Sequence, residues 1–342
     1  MDTGFFDEEI NRNGTESLKW DRYKETEILP MWVADMDFKS PPLVVQSLVE
    51  RAGHGVYGYT LPPDNLTAVI VQRLQQRYEW TIDPEWLVWL PGLVCGINAV
   101  CGSVGSPGNA VLTSIPIYPP FLSAPRNMER ELQTFSMTKN RDRFEFDFDA
   151  MHDAISEHTR LFLHCHPHNP LGRAFGRKEL IQAAEICSDH DLIICSDEIH
   201  CDLLLDKSRT HIPMASLSPE IADRTITLMA PSKTFNLPGL GLSFAVISNP
   251  TLRKKFKQTI EGIVPHPNYF AYRGAMAAYE HGKDWLRTLL TYLRDNAQIV
   301  YKRINAMPGL SMTWVEATYL AWIDTRKTGI KKPQAFFEQA KV

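Results

Sequence analysis

The feature that most constrains the fold is a series of short runs that are rich in β-branched and aromatic residues and apolar on both faces. Strands with no solvent face need a covering layer on each side, which is typical of parallel sheets flanked by helices. The segments between the runs have helix-like apolar spacing. The sequence therefore predicts an α/β fold with a mostly parallel sheet. The runs span residues 86–90, 110–114, 132–136, 160–165, 192–196, 225–229 and 242–248.

The remaining segments predict a second, smaller α+β lobe. With 342 residues, 44% of them apolar, the chain can bury a large core beside such a lobe. A long helical pattern from about residue 283 leads to Pro308-Gly309 and a strand pattern at 319–325. The opening 40 residues, rich in Pro, Trp and Asp, are expected to form an arm that packs on this lobe. The predicted division is 1–44 for the arm and part of the small lobe, 45–282 for the large domain and 283–342 for the C-terminal small lobe.

Charge and composition favour small-molecule partners and copies of the same chain. The formal net charge is −4, and no run of like charge is long enough to form a nucleic-acid patch. The chain starts without the basic and apolar pattern of a secretory signal, and no stretch approaches the length of a membrane span, so we expect a cytoplasmic protein. The six cysteines form no CxxC pair and are expected to be buried free thiols.

Ligands of open parallel sheets collect at the carboxyl ends of the strands, and an acid stands at one such end. Asp197 ends the run 192–196, and its carboxylate could simply cap the next segment. The functional alternative is an acid that pairs with the protonated nitrogen of a heterocycle. His200, three residues on, could orient that acid or contact the ring.

A lysine stands at a second strand end. Lys233 follows the run 225–229 and precedes an apolar, Gly-rich stretch, which is an unfavourable place for an ammonium group without a function. A Schiff base is such a function, and the neighbouring Ser232 could donate a hydrogen bond to a phosphate.

The first run is followed by Pro91-Gly92-Leu93 and a helix-like segment that continues to Val104. Backbone N–H groups at a helix start bind phosphate, and Gly92 allows close approach of the backbone. Turns of this kind are common in α/β proteins, so the signal is weak alone. The chain has no Walker sequence and no GxGxxG to support nucleotide binding.

The run 160–165 leads into alternating histidines, His164, His166 and His168, which could place imidazoles on one face of an extended segment and bind a metal. Two prolines and the lack of a nearby carboxylate or CxxC favour the other interpretation. In that interpretation Asn169 donates to the hydroxyl of a bound ring.

Taken together in this order, these four turns resemble the fold-type I enzymes that use pyridoxal 5′-phosphate (PLP), and the ends of the chain narrow the resemblance to the MalY/PatB cystathionine β-lyase, or carbon–sulfur lyase, group. The similarity covers essentially the whole chain. It rests on FDEEINRNGTESLKWD (6–21), LPMWVADMDFKSPP (29–42), HGVYGYT (54–60), PHNPLGR (167–173), SDEIHCDLLL (196–205) and APSKTFNLPGL (230–240).

The resemblance implies a role for each candidate around the PLP ring. Lys233 would hold PLP covalently and then move the substrate Cα proton, Asp197 would pair with the pyridine nitrogen, and Asn169 would bond the ring hydroxyl. Tyr118 would stack on the ring, although without the resemblance a core aromatic is the simpler interpretation. His200 would lie beside the cofactor.

The resemblance also implies how the phosphate and the substrate are bound. The N–H groups of Leu93 and Val94, the hydroxyl of Ser232 and, from the second subunit of a homodimer, Tyr59 would hold the phosphate, with Tyr57 as the competing candidate for the last contact. Ala34 and Asp35, in the VADMD turn, would lie near the substrate carboxylate.

Two departures from the pattern stand out. His166 occupies a position where relatives more often carry a small polar residue. Relatives also continue past a segment like QAFFEQAKV, here a predicted helix with an apolar stripe, and that continuation includes the arginine expected to bind the substrate carboxylate. We therefore expect a small lobe that is incomplete over these residues.

The activity implied is β-elimination on L-cystathionine or a related cysteine conjugate, which gives a thiol, pyruvate and ammonia. An aminotransferase is the first alternative, because it uses the same groups and differs only in the fate of the Cα carbanion. A PLP-binding regulator or inactive homologue is the second.

Overall fold

The computed structural model describes residues 2–342 and is built around a seven-stranded sheet with two small antiparallel pairs beside it. All seven predicted runs form the strands of the large sheet. The strands are β1 Leu87–Leu90, β2 Ala110–Ile115, β3 Glu131–Ser136, β4 Thr138–Asn140, β5 Arg143–Glu145, β6 Thr159–Cys165, β7 Ile193–Asp197, β8 Thr225–Met229, β9 Ser243–Val246, β10 Ser311–Met312 and β11 Ile323–Asp324.

Helices cover the sheet and build the second lobe. They are α1 Pro42–Gly53, α2 Asp64–Tyr78, α3 Leu93–Ser103, α4 Pro120–Asn127, α5 Phe148–Asp153, α6 Arg177–Asp189, α7 Pro219–Asp223, α8 Pro250–Ile260, α9 Tyr269–His281, α10 Lys283–Ala306 and α11 Pro333–Gln339. The predicted helix from about residue 283 is α10, so that prediction is confirmed. None of these helices is long and apolar enough to cross a membrane within the residues described.

The large sheet has the order β1-β9-β8-β7-β6-β2-β3. Neighbouring strands are parallel from β8 to β3, and only β9 runs against both of its neighbours. The α/β class and the mostly parallel sheet are confirmed. The carboxyl ends of β1, β6, β7 and β8 consequently meet at one edge, where the candidate residues follow.

Both faces of the sheet are buried because consecutive strand residues enter different cores. Val111 and Leu161 pack with α3, α4 and α8, whereas their neighbours Leu112 and Phe162 pack with α6. A continuously apolar strand is what such burial requires, since alternate side chains point to opposite faces.

The N-terminal arm packs on the small lobe, as predicted. The ring of Phe6 lies edge-on to Trp285 of α10, with 5.5 Å between ring centroids, and Tyr292 donates a hydrogen bond of 3.0 Å to Asp7. The predicted strand over 319–325 is shorter than expected and contributes only β11. Residues 319–322 form no strand, and the chain turns just before them at Thr318, whose φ is 71°.

The segment before that turn is hydrogen-bonded to the large domain. The N–H groups of Glu316 and Ala317 donate to the carbonyl of Gly172, and that of Thr318 donates to Leu203. The Glu316 carboxylate lies 2.5 Å from the buried Arg173 guanidinium and accepts from the N–H of Ala174 at 2.9 Å. The division into 1–44, 45–282 and 283–342 stays a prediction.

The last predicted helix is present as α11, and Phe336 on its apolar stripe is 47% exposed. It contacts the arm: Tyr23 donates to the Glu338 carboxylate at 3.0 Å, and the N–H of Leu29 donates to the carbonyl of Lys341 at 2.9 Å.

Candidate active site

Lys233 lies in the turn that follows β8 and points across the site to the N-terminal arm. The turn is held by backbone hydrogen bonds from Phe235 to Pro231 and from Leu237 to Ser232. The Lys233 amine donates to the carbonyl of Ala34. Burial lowers the pKa of this amine, and the carboxylates of Asp35 and Asp197 oppose that effect.

Asp197 ends β7 and is 4% exposed. One oxygen accepts the N–H of Ile199 at 3.1 Å, so the carboxylate does cap the next turn. Burial raises its pKa to about 7, and the nearby charge of Glu198 acts in the same direction, while the Ile199 bond and Lys233 oppose it. Among residues 2–342 no ion pair of Asp197 is formed, and a cationic group brought against it would favour its charged form.

His200 is buried between these two residues and the small lobe. Burial and the positive charge of Lys233 lower its pKa to about 3, so the ring is neutral. Its Nδ1 has no hydrogen-bond partner among the residues described, and its ring meets that of Tyr319 edge-on, with 6.1 Å between centroids.

Asn169 and Tyr118 follow β6 and β2, the next two strands of the sheet from β7. The backbone N–H of Asn169 donates to the sulfur of Cys165 at 3.4 Å, and no partner of its side-chain amide is recorded in the described chain. Tyr118 is 38% exposed, and burial raises its pKa, with the charges of Asp197 and Cys165 acting in the same direction. Tyr118 is therefore not a core aromatic.

The start of α3 provides free N–H groups beside the lysine turn. Leu93 and Val94 are the first residues of the helix, and the carbonyl of Gly92 accepts from Gly96 at 3.2 Å. The first N–H groups of a helix have no acceptor within it. A Cβ at Gly92 would meet no atom within 4 Å, so packing does not explain this glycine. No protein partner of the Ser232 hydroxyl is recorded in the described chain.

The two tyrosines of HGVYGYT differ in what their hydroxyl groups do. Tyr57 donates to the carbonyl of Ala52 at 2.7 Å and packs near Phe270. Tyr59 is fully exposed on the loop between α1 and α2. The structure thus brings most of the predicted residues together and leaves Tyr59 pointing away from its own chain.

Sequence reasoning missed Tyr319, Asn236 and Asp202. The Tyr319 hydroxyl donates to the carbonyl of Ala34 at 3.1 Å, on the same oxygen that accepts from Lys233. Tyr319 was overlooked because it belongs to the pattern that predicts a strand over 319–325. Asn236 and Asp202 both lie inside the quoted motifs SKTFN and SDEIHCD.

Asn236 and Asp202 fix the lysine turn from two sides. Asn236 accepts the N–H of Met36 at 3.1 Å and donates to the carbonyls of Met36 and Phe38 at 2.9 and 2.8 Å. Asp202 accepts from Thr234, next to Lys233, at 3.1 Å. Its other partners are Arg73, Arg77 and Tyr78, and the two arginines hold its pKa well below the ordinary range.

Two of the three alternating histidines stack, and the third, His168, lies edge-on to Phe175 with 6.0 Å between ring centroids. The rings of His164 and His166 are 5.6 Å apart at their centroids, and His166 stacks on His211 at 4.6 Å. Over residues 2–342 no group of three or more His, Cys, Asp or Glu side chains is arranged to hold a metal ion. His211 instead contacts the Glu198 carboxylate at 2.7 Å.

The donors at this edge of the sheet fit PLP. They comprise an amine with a lowered pKa, a buried carboxylate without an ion pair, an amide and a hydroxyl with no recorded partner, and a helix start. The amine matches the aldehyde of PLP, the carboxylate matches the pyridine nitrogen, and the amide matches the ring hydroxyl. The free hydroxyl and the helix start both match the phosphate.

Comparison with known proteins supports this interpretation. The family model described as "Aminotransferase class I and II" matches residues 27–341. Cystathionine beta-lyase PatB of Bacillus subtilis (strain 168) is 35% identical over 95% of this chain and 86% of its own length. Protein MalY of Escherichia coli (strain K12) is 29% identical over 98% of this chain and 88% of its own.

Solved structures agree. The crystal structure of OvoB is 43% identical with a TM-score of 0.95, over 96% of this chain and 87% of that one. The PLP-bound C-S lyase from Staphylococcus hominis is 31% identical with a TM-score of 0.92, over 98% of this chain and 88% of that one. The chain therefore belongs to the aminotransferase class I and II family, with the fold-type I PLP fold. Within that family it groups with PatB and MalY.

Proposed function

We propose that this protein is a PLP-dependent carbon–sulfur lyase that cleaves the Cβ–S bond of L-cystathionine or a related cysteine conjugate to give a thiol, pyruvate and ammonia. The observation that carries the proposal is the pair formed by Lys233, an amine whose pKa burial lowers, and Asp197, a buried carboxylate at the end of the neighbouring strand. The names of PatB and of the Staphylococcus hominis lyase support the choice of reaction.

In this proposal Asp197 and Lys233 act on the bound cofactor and the substrate. Bound PLP supplies an electron-withdrawing ring that weakens the Cα–H bond of the substrate. Asp197 would keep the proton on the ring nitrogen, because a buried carboxylate favours the charged form of a cation placed against it. Lys233, as the free amine, would take the Cα proton and return it to the sulfur, which leaves Cβ with the bonding electrons as a thiol. Water then hydrolyses the released enamine to pyruvate and ammonia.

The other groups orient the cofactor and the substrate. Asn169 would donate to the ring hydroxyl, Tyr118 would stack on the ring and His200 would contact it. Leu93, Val94 and Ser232 would hold the phosphate. Ala34 and Asp35 border the space where the substrate would lie, beside the lysine amine.

Two assays test the reaction together. The purified, PLP-loaded protein should release pyruvate and homocysteine from L-cystathionine in equal amounts without an added keto acid. Amino transfer that depends on an added keto acid, without pyruvate release, would instead identify an aminotransferase. Bound PLP with neither reaction would identify a regulatory or inactive homologue.

The exposed apolar surface supports a homodimer. Leu43 and Val49 of α1, Val56 and Leu61 of the following loop, and Tyr59 are all exposed in the single chain. A second copy packed here would cover this surface and carry Tyr59 into the neighbouring site. The small-molecule substrate is an amino acid in this proposal.

Replacing Tyr59 by Phe should weaken PLP binding roughly tenfold to a hundredfold, because one hydrogen bond to a charged phosphate is lost. Tyr57→Phe is the matched control, since that hydroxyl donates to Ala52 within its own chain. PLP affinity is measured by titration of each cofactor-free variant. Equal affinities in the two variants would remove Tyr59 from the phosphate site.

Mixed dimers test the sharing directly. A dimer that combines a Tyr59→Phe chain with a Lys233→Ala chain contains one site with both native residues. Such dimers should recover about half of the wild-type PLP content and turnover per dimer. Recovery of no native site would exclude the shared geometry.

A further inference from the structure

Four charged side chains of the N-terminal arm form a cluster next to the turn of Ala34, whose carbonyl accepts from Lys233. They are Arg12, Lys19, Asp35 and Asp37. The guanidinium of Arg12 reaches both oxygens of Asp35, at 3.0 and 3.2 Å, and contacts Asp37 at 2.6 Å. Lys19 contacts the other oxygen of Asp37 at 2.6 Å and the carbonyl of Asp35 at 3.2 Å. Trp20 donates to Asp37 at 2.8 Å. Neither cation takes part in the chemistry proposed above.

The cluster borders the reacting amine through the turn that carries Asp35. The carbonyl of Ala34 accepts from Lys233, and the next residue supplies the carboxylate that Arg12 holds. Asn236, three residues from Lys233, bonds the same turn at Met36 and Phe38. The position of Asp35 relative to Lys233 is therefore fixed by the arm and by the lysine turn together.

Three cations face Asp35: Arg12, Lys19, whose amine lies 3.9 Å from one carboxylate oxygen, and Lys233. A pair with Arg12 and a pair with Lys233 have opposite consequences for the reacting amine. An ion pair with Lys233 would favour its protonated form, which cannot take a proton from the substrate. A guanidinium binds a carboxylate through two parallel hydrogen bonds, which a primary ammonium cannot do. The observed geometry is the two-bond contact with Arg12.

We propose that Arg12 is a positioning residue: its guanidinium holds the carboxylates of Asp35 and Asp37 and so prevents Asp35 from forming an ion pair with Lys233. The inference rests on the proposed function, because it concerns the same lysine. It adds a role for the arm motif FDEEINRNG, whose arginine stands more than two hundred positions from the lysine in the sequence.

The charged and titratable groups that face Lys233 define the expected sign. Asp35 approaches from the arm, Asp197 from the end of β7, His200 from the turn after it, and Tyr319 shares the Ala34 carbonyl. Loss of the Arg12 charge would remove the repulsion between Arg12 and the Lys233 ammonium, and it would let the Asp35 carboxylate attract that ammonium. Both effects raise the pKa of the Lys233 nitrogen. The pKa of the same nitrogen bonded to PLP rises for the same reason.

The test is the pH midpoint of the visible absorbance of bound PLP, measured without substrate in the PLP-loaded full chain. In Arg12→Gln the midpoint should rise by roughly half to one pH unit, a three- to tenfold change in proton binding. Arg22→Gln removes one positive charge from the same arm, where Arg22 stacks on Trp32, and should leave the midpoint unchanged. The double variant Arg12→Gln/Asp35→Asn should show no rise of the pH midpoint, because no carboxylate remains at position 35 to pair with Lys233.

The outcomes separate the inference from the function on which it rests. Equal midpoints in wild type and Arg12→Gln, or equal rises in Arg12→Gln and Arg22→Gln, overturn the role of Arg12. If Arg12→Gln retains no PLP, Arg12→Lys decides: one ammonium cannot hold both carboxylates as the fork does, so a smaller rise is expected and an unchanged midpoint overturns the inference. A wild-type protein without the absorbance overturns the proposed cofactor first, whereas absorbance without pyruvate release overturns only the lyase reaction.

Discussion

Replacing Lys233 by Ala should abolish covalent attachment of PLP and reduce turnover by about 10⁴-fold or more, because the variant loses both the group that binds the cofactor and the group that moves the Cα proton. No other amine can substitute. The turn between β8 and β9 contains no lysine other than Lys233, and Lys19 of the arm is bound to Asp37. Pyruvate release and the visible spectrum of the purified variant are the two measurements.

The matched control for this loss is Lys39→Ala. Lys39 is an exposed arm lysine paired with Glu8, and an exposed ion pair contributes little to stability. That variant should keep the spectrum and the rate of the wild type. A Lys233→Ala protein with the wild-type spectrum would show that PLP is attached elsewhere.

Asp197→Asn should retain PLP and lose about 10²- to 10³-fold in turnover, the usual cost of removing one electrostatic contact to the reacting system. An amide carries no charge with which to favour the protonated ring nitrogen. Steady-state kinetics on L-cystathionine, with PLP content measured in the same samples, provides the check. A rate within threefold of wild type would exclude Asp197 from this role.

The same substitution should have the opposite effect on the stability of the cofactor-free protein. Burial raises the pKa of Asp197 from an ordinary 3.8 to about 7 in the folded chain. The folded state therefore binds a proton more tightly than the unfolded state, and Asp197's contribution to stability falls as the pH rises from about 4 to 7. Above pH 7 the buried charge is fully present.

An amide has no such charge, so Asp197→Asn should unfold at a higher temperature than the wild type at pH 8, with a smaller difference at pH 5. Thermal unfolding of the two cofactor-free proteins at both pH values measures this. A pH-independent difference between them would show that packing, and not the buried charge, separates their stabilities.

The sheet and its edge could be predicted because burial on both faces leaves a direct mark on the sequence. Runs such as 86–90, WLVWL, have no polar alternation, and each run became a strand. The turns after them carry residues that are unusual at strand ends, so position alone predicts Lys233 and Asp197 as candidates. Patterning of this kind is local, and it survives in the sequence without knowledge of the partner strands.

The contacts between distant segments could not be predicted in the same way. Tyr319 contacts Ala34, 285 positions away in the sequence, just after the chain turns at Thr318 with a positive φ, and no apolar period records such a contact. The fork of Arg12 on Asp35 and Asp37 joins residues more than twenty positions apart, and charged residues in a polar arm usually remain solvated. Such pairings depend on the tertiary fold.

The hydrogen bonds of residues 316–318 to the large domain limit which parts of the C-terminal segment can move relative to the sheet. The N–H groups of Glu316 and Thr318 are bonded to Gly172 and Leu203, and the buried Glu316 carboxylate is paired with Arg173. Separating a buried ion pair is costly, so this segment moves with the sheet. Any rotation of α10 and α11 relative to the sheet would therefore have to bend the chain outside residues 316–318, and Tyr319, the next residue, would stay beside Ala34.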